Sequence, residues 1–320
     1  MATKGTARNH SFVSPSLLHE IATCRKWSLA DVRGDGNTVT LDLRRWRSIN
    51  PTALIGLTCI TARLHRIDGR EVTIRIPQDD YARRMLATVE WVAALDTFAA
   101  NLVTVGEPPH PVQRLLPLIP VTPFKTAAEV ELMTQRFAEE ISGSVLACSQ
   151  LRLRSRLNLA LDEAANNVLH HSRSPLGGFA VVQMRRMTRQ GKKRRFIEIC
   201  VGDPGRGIAE SFGMTDDAAA IERALRSGMS STSDPHRGYG LPHIEELATE
   251  HQLRALTIHS GAGYVTRMYG QEPRFESRPE NPFGGTLISV YVPCRIVSDL
   301  QIGMTQSSLI LPTVVSPVDD

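Results

Sequence analysis

Glu163 and Asn167 stand four residues apart in the segment Ser155-Arg-Leu-Asn-Leu-Ala-Leu-Asp-Glu-Ala-Ala-Asn-Asn-Val-Leu-His-His171. Leu157, Leu161, Ala164, Ala165, Val168 and Leu169 recur there at helical spacing, which predicts a helix with one apolar stripe. On such a helix the carboxylate and the carboxamide share a face and can converge on one ligand. Hard divalent cations take oxygen ligands and keep several waters, so one Asn oxygen beside phosphate oxygens suits Mg2+. A carboxylate in that position can polarise an attacking hydroxyl or water. The competing reading is an amphipathic helix with a solvated acid and a capping amide.

Three more patterns follow along the chain. Arg195-Phe-Ile-Glu-Ile-Cys-Val201 reads as a strand and runs into the tight turn Gly202-Asp203-Pro-Gly205-Arg-Gly207. An acid at a strand end can accept a hydrogen bond from an exocyclic amine, and the glycines let backbone approach a flat base. Arg206, between those glycines, has no assigned role. Residues 224–237 are polar, rich in Ser and Gly, and aperiodic over their second half, so they read as a mobile loop. That loop carries Ser230, Thr232, His236 and Arg237, with Arg237 and His236 candidates for a terminal phosphate. It opens into Gly238-Tyr-Gly240-Leu241, where Leu241, Ile244, Leu247 and Ala248 mark another helix. Amides at a glycine-rich helix start form a phosphate cradle, and Pro242 is tolerated in the first turn. Finally, residues 282–293 read as a strand entered through Gly285 and Thr286, after a strand and turn at 255–264. Each pattern alone also fits an ordinary turn, loop or strand.

In this order the patterns resemble the GHKL (histidine kinase-like) ATPases shared by gyrase, Hsp90, histidine kinases and MutL. The resemblance spans roughly residues 125–295 and is closest to the anti-sigma-factor serine/threonine kinase branch. It implies ATP and Mg2+ as ligands, Glu163 as catalytic base and Asn167 as the Mg2+ ligand. Asp203 would read the adenine amino group, with Thr286 closing the pocket beside it, and the loop before Gly238 would be an ATP lid. Gly205, Gly207, Gly238, Gly240, Leu241 and Gly285 complete the implied nucleotide site.

The first third reads differently. Residues 38–43 alternate as a strand, 51–64 form an apolar-striped helix, and 70–76 form a second strand after the Asp68-Gly69 turn. Strand, helix, strand implies a parallel crossover. The run Leu41-Asp-Leu-Arg-Arg-Trp-Arg-Ser-Ile-Asn-Pro-Thr-Ala-Leu-Ile-Gly-Leu57 is similar to the STAS domain of anti-anti-sigma factors. That family carries a phosphorylatable residue in an Asp-Ser-Ser-Gly-Leu-like turn. The equivalent here, Asn50-Pro51-Thr52-Ala53-Leu54, lacks the acid and the glycine, so Thr52 is read as capping a helix that begins near Ala53, with phosphorylation the alternative.

The expected fold is α/β in two domains. A STAS-like αβ sandwich (13–105) and a Pro-rich linker (106–124) precede a Bergerat-type ATPase αβ sandwich (125–297), a mixed sheet with helices on one face, and a tail (298–320). The proline density of 101–124 excludes a helix there, and Thr126 with Glu129 forms a capping box opening a helix to about Leu146. The chain of 320 residues, 42% hydrophobic, can build two ordinary domains. Five scattered cysteines argue against a disulfide framework, and neither a signal-peptide pattern nor a membrane-spanning run is evident, so a cytoplasmic location is expected. A net charge of +4 does not compel nucleic-acid binding, although the basic stretch 185–195 is either a solvated hairpin tip or a docking site.

Three functions follow: an anti-sigma-type kinase or partner-binding ATPase, a non-catalytic ATP-gated interaction module, and a histidine kinase. The last lacks a histidine at 125–150 to serve as phosphoacceptor. A sigma-factor-like or STAS-like protein is the expected partner, with a homodimer common in the branch. Should the first domain fold back onto the lid, deleting residues 1–110 is expected to raise turnover.

Overall fold

The computed structural model describes residues 10–13, 37–47, 49–98, 103–105, 118–142, 151–189, 192–226, 239–250, 255–279 and 282–294. One sheet is four-stranded and parallel, in the order β1 (His10–Val13), β2 (Thr38–Asp42), β3 (Glu71–Arg75) and β4 (Val103–Val105). The crossover from β2 to β3 is α1 (Pro51–Ala62), continued by a π-helical turn at Arg63–Ile67. α2 (Asp80–Thr88) and α3 (Trp91–Asp96) follow β3. The cap of α1 is Asn50, not Thr52. Its Oδ1 accepts from Ala53 N at 2.6 Å, and Pro51 fills the first helical position, where no amide is lost.

The second sheet has seven strands. Their order is β10 (Arg274–Ser277), β9 (Gly263–Met268), β8 (Ala255–Gly261), β11 (Phe283–Cys294), β7 (Lys192–Asp203), β6 (Gly178–Arg189) and β5 (Ile119–Phe124). Every pairing is antiparallel, where the sequence reading expected a mixed sheet. The reason lies between β5 and β6. Two helices, α4 (Ala127–Glu140) and α5 (Leu151–His171), return the chain beside β5 in the opposite direction, whereas one crossover helix gives parallel strands. α4 starts on the Thr126–Glu129 capping box that the sequence shows. α6 (Ile208–Phe212), α7 (Asp217–Ala224) and α8 (Gly240–Thr249) complete the described helices.

One strand departs from the sequence reading. Residues 119–124, assigned to the linker for their prolines, form β5. Among the described strands it is an edge strand, paired with β6 alone, and its register shifts between Ile119 and Thr122; an edge tolerates Pro120 and Pro123, which have no amide to donate. The end of the β6–β7 hairpin is the basic stretch 185–195. The tail 298–320 lies outside the described residues.

The seven-stranded sheet buries both faces. On the front, Ala180, Val182, Ile197, Ile199 and Val201 pack with α4, α5 and α8. On the rear, Phe179, Val181, Cys200 and Leu287 join a second core with α1, Trp91 and the parallel sheet. All twelve residues of α1 are buried, because one side meets its own sheet and the other meets β6, β7 and β11. The only break in this apolar layer that Thr52 makes is satisfied. Its Oγ1 donates to Glu198 Oε1 at 2.9 Å and lies 2.9 Å from Ser289 Oγ, with Glu198 fully buried. Thr52 is itself 3% exposed, so this fold does not offer its hydroxyl to an incoming phosphate.

Candidate functional site

The front face holds a cleft of about 700 Å³ including its open mouth. α5 forms one wall through Asn167 and Val168, β7 and β11 form the floor through Asp203 and Thr286, and α8 contributes Gly240 and Leu241. Gly207 closes the end next to α6. Sequence-predicted residues from four separate segments thus meet on one surface.

Asp203 is 2% exposed at the end of β7, directly opposite Thr286 on β11. Its Oδ1 accepts from Gly205 N at 2.7 Å. Burial pushes its carboxyl up to about 7, against the pull of the Gly205 and Thr286 amides. An acid so poised can accept from an exocyclic amine without paying for full ionisation beforehand. Gly285 comes by necessity: its φ is +128°, and a Cβ there would lie 1.9 Å from Asp203 O. At Gly205 a Cβ would meet Ser172 O at 2.2 Å, so this turn is packed tightly under the end of α5.

Glu163 lies one turn before Asn167 and does not line the cleft wall. It reaches the same place through α8, since a Cβ on Gly240 would stand 2.7 Å from Glu163 Oε2 and 3.2 Å from Asn167 Nδ2. A side chain at this position would displace the Glu163 carboxylate from the start of α8. Among the described residues no side chain caps the first amides of α8, since Tyr239 in the cap position makes no such bond, and the positive end of the helix lies at the cleft that Gly240 and Leu241 line.

Asn167 Nδ2 is buried and makes no hydrogen bond among the described residues. Carboxamide nitrogen and oxygen exchange places by a flip, so an oxygen turned to a hard cation fits this position. The donor set therefore fits Mg2+ and a nucleotide: a carboxamide with an unpartnered nitrogen position, a helix start for phosphate and a buried acid for a base amine.

Several supporting residues were given no role from the sequence. Ser260, fully buried on β8, accepts from Ile208 N at 2.8 Å and donates to Gly285 O at 3.0 Å, tying α6 to both strands. Its hydroxyl is also 3.2 Å from Thr286 Oγ1. Arg206, unassigned from sequence, donates through Nε to His171 O at 2.7 Å and through its amide to Ser172 O, closing the end of α5. His243 places Nδ1 3.2 Å from Glu163 Oε1; its position three residues after Gly240, on the same helical face, is the signal that could have found it.

The cleft is also underlaid from behind. A Cβ on Gly202 would meet Ile55 Cγ2 at 2.8 Å and Cys59 Sγ at 3.2 Å, and one on Gly284 would meet Arg63 Nη1 at 2.6 Å. α1 and the turn after it therefore press on the two strand ends that carry Asp203 and Thr286. Burial, with Asp203 nearby, holds the Cys59 thiol well above its usual range. Ser230, Thr232, His236, Arg237 and Gly238 lie outside the described residues.

Residues 125–269 match the family model of the histidine kinase-like ATPase domain. No curated protein matches the chain. The matched stretch includes α4, α5, β6, β7, α8 and the cleft between them, and it stops before β11, which supplies Thr286. This part of the chain is thus similar to the histidine kinase-like ATPase domain, for which ATP is the implied ligand. No helix among the described residues is long and apolar enough to cross a membrane.

Proposed function

We propose that the chain is an ATP- and Mg2+-binding regulatory protein of the anti-sigma kinase type, which engages or releases a protein partner according to nucleotide state. The observation that carries this reading is Asn167, a cleft-lining residue whose amide nitrogen is buried and has no hydrogen-bond partner among the described residues, above the floor that Asp203 and Thr286 form. In this reading Asp203 and Thr286 hold the adenine end, the amides at the start of α8 hold phosphate oxygens, and Asn167 holds the cation. Bound ATP supplies the transferable phosphoryl group and Mg2+ neutralises its charge. Glu163 takes the proton of the attacking hydroxyl or water.

The N-terminal half is read as a STAS-like layer built into the molecule, not as a detachable antagonist. With Thr52 enclosed beside Glu198, the phosphoacceptor is a residue of another protein, of sigma-factor-like or STAS-like kind. The same enclosure also favours the second reading, an ATP-gated interaction module without transfer. Titration calorimetry of ATP and ADP with Mg2+, on the unmutated chain and on Asn167→Ala, followed by phosphate release, tests both. Metal-dependent binding that weakens by about tenfold or more in the variant supports the site. Turnover or protein labelling beyond binding supports the kinase, binding alone supports the gate, and no binding by the unmutated chain removes the reading.

A further inference from the structure

The acids on α8 are mostly engaged by arginines: Glu245 pairs with Arg267 at 2.7 Å, while Glu246 and Glu250 pair with Arg156 of α5. Against this pattern α8 offers one basic side chain of its own in the reverse direction. His243 places Nδ1 3.2 Å from Glu163 Oε1. A carboxylate can only accept, so this bond requires the proton to sit on Nδ1. The ring is held from its other side by Tyr239, 6.3 Å between centroids and within 26° of parallel. Oε2 of the same carboxylate faces Gly240 and the start of α8, where a Cβ would stand 2.7 Å away. The two oxygens of Glu163 are thereby distinguished, one bound to an imidazole and one left toward the helix start.

We infer that His243 is a positioning residue for Glu163, fixing the carboxylate so that Oε2 is the atom that takes the proton. This rests on the proposed function, because it assigns Glu163 the role of base. Two details make the arrangement effective. The imidazole comes from α8, whose amides are the proposed phosphate cradle, so the group that positions the base and the phosphate site share one rigid element. Also, when Oε2 gains its proton, His243 keeps its own on Nδ1, so no second proton moves and the imidazole stays a donor. Asp162, the neighbouring acid on α5, cannot replace Glu163 in this pair. Consecutive helical residues do not share a face, and burial with the Glu163 charge holds the Asp162 carboxyl above its usual range.

The test uses the full chain and two independent readouts. In long-range imidazole nitrogen spectra of the nucleotide-free protein, the His243 signals, assigned by their loss in His243→Asn, should show the Nδ1–H tautomer. Glu163→Ala should return them to the Nε2–H form that free imidazole prefers. In kinetics, His243→Leu should lower kcat about tenfold while calorimetric Kd for Mg-ATP stays within about twofold. His243→Asn, whose amide N–H stands where Nδ1 does, should recover most of that loss. A tautomer that ignores Glu163→Ala overturns the inference. So do a parallel fall in kcat and affinity, unchanged kcat in His243→Leu, and binding without any turnover. In those cases ATP binding itself still stands, whereas failure of the unmutated chain to bind Mg-ATP removes the proposed function and this inference together.

Discussion

Asp203 connects the site to pH. Its folded-state value of about 7 lies above the ordinary 3.8, so between those values the native chain holds a proton that the unfolded chain has released. The contribution of this group to stability is therefore full below about pH 4 and is lost as pH rises through about 7. Urea unfolding across that window should show the slope, and Asp203→Asn should flatten it. An amine donating to Asp203 favours the ionised acid, so nucleotide affinity should rise with pH up to about 7 and then level off, by calorimetry. Gly285→Ala should cost on the order of 3 kcal/mol in denaturant unfolding, since the new methyl enters the Asp203 carbonyl and the backbone is held at φ +128°. At this scale much was legible in sequence. Residue type and order singled out Asn167, Asp203, Gly240 and Thr286, and the fold brings these four to one cleft. Ser260 and His243 were not singled out, since a serine in a strand and a histidine on a helix have many uses, and only the fold shows what they touch.

α1 departs most from what its pattern led one to expect. The sequence places a helix there, yet it does not show that both sides are covered. A helix with a solvated side needs polar residues, and α1 has none of charged type between Pro51 and Ala62. The matching sign is in β6, where Phe179-Ala-Val-Val182 is apolar on both faces of an antiparallel strand; a strand with one face in water would alternate. Read together, two such segments indicate a third layer between them. Thr52 gives the layer its check. Thr52→Val keeps the volume but leaves Glu198 short of a donor, a loss of about 1–3 kcal/mol in thermal or denaturant unfolding. Thr52→Glu places a second carboxylate beside a fully buried one, and the folded state should not form, as circular dichroism would report. Thr126→Ala, which removes one half of an exposed capping box, should cost only about 1 kcal/mol.

For the whole molecule, the rear layer replaces the expectation that the N-terminal half acts on the lid as a removable inhibitor. Deleting residues 1–110 would strip α1 from Phe179, Val181, Cys200 and Leu287 and expose a wide apolar face. The truncated chain should aggregate or fail to unfold cooperatively, as gel filtration and calorimetry would show, and a soluble, more active fragment would contradict this account. Proline density misplaced the boundary for a related reason: β5 is an edge strand, the one sheet position where those prolines are tolerated, so composition there resembles a linker. The doubly covered helix also sets a schedule on the ribosome. α1 emerges early, but β11, which completes the surface it leans on, ends at Cys294. At roughly 5–20 residues per second, tens of seconds of synthesis separate the two. Until β11 is made, the surface that β6 and β7 offer this helix is incomplete, and part of its apolar flank stays open to the solvent.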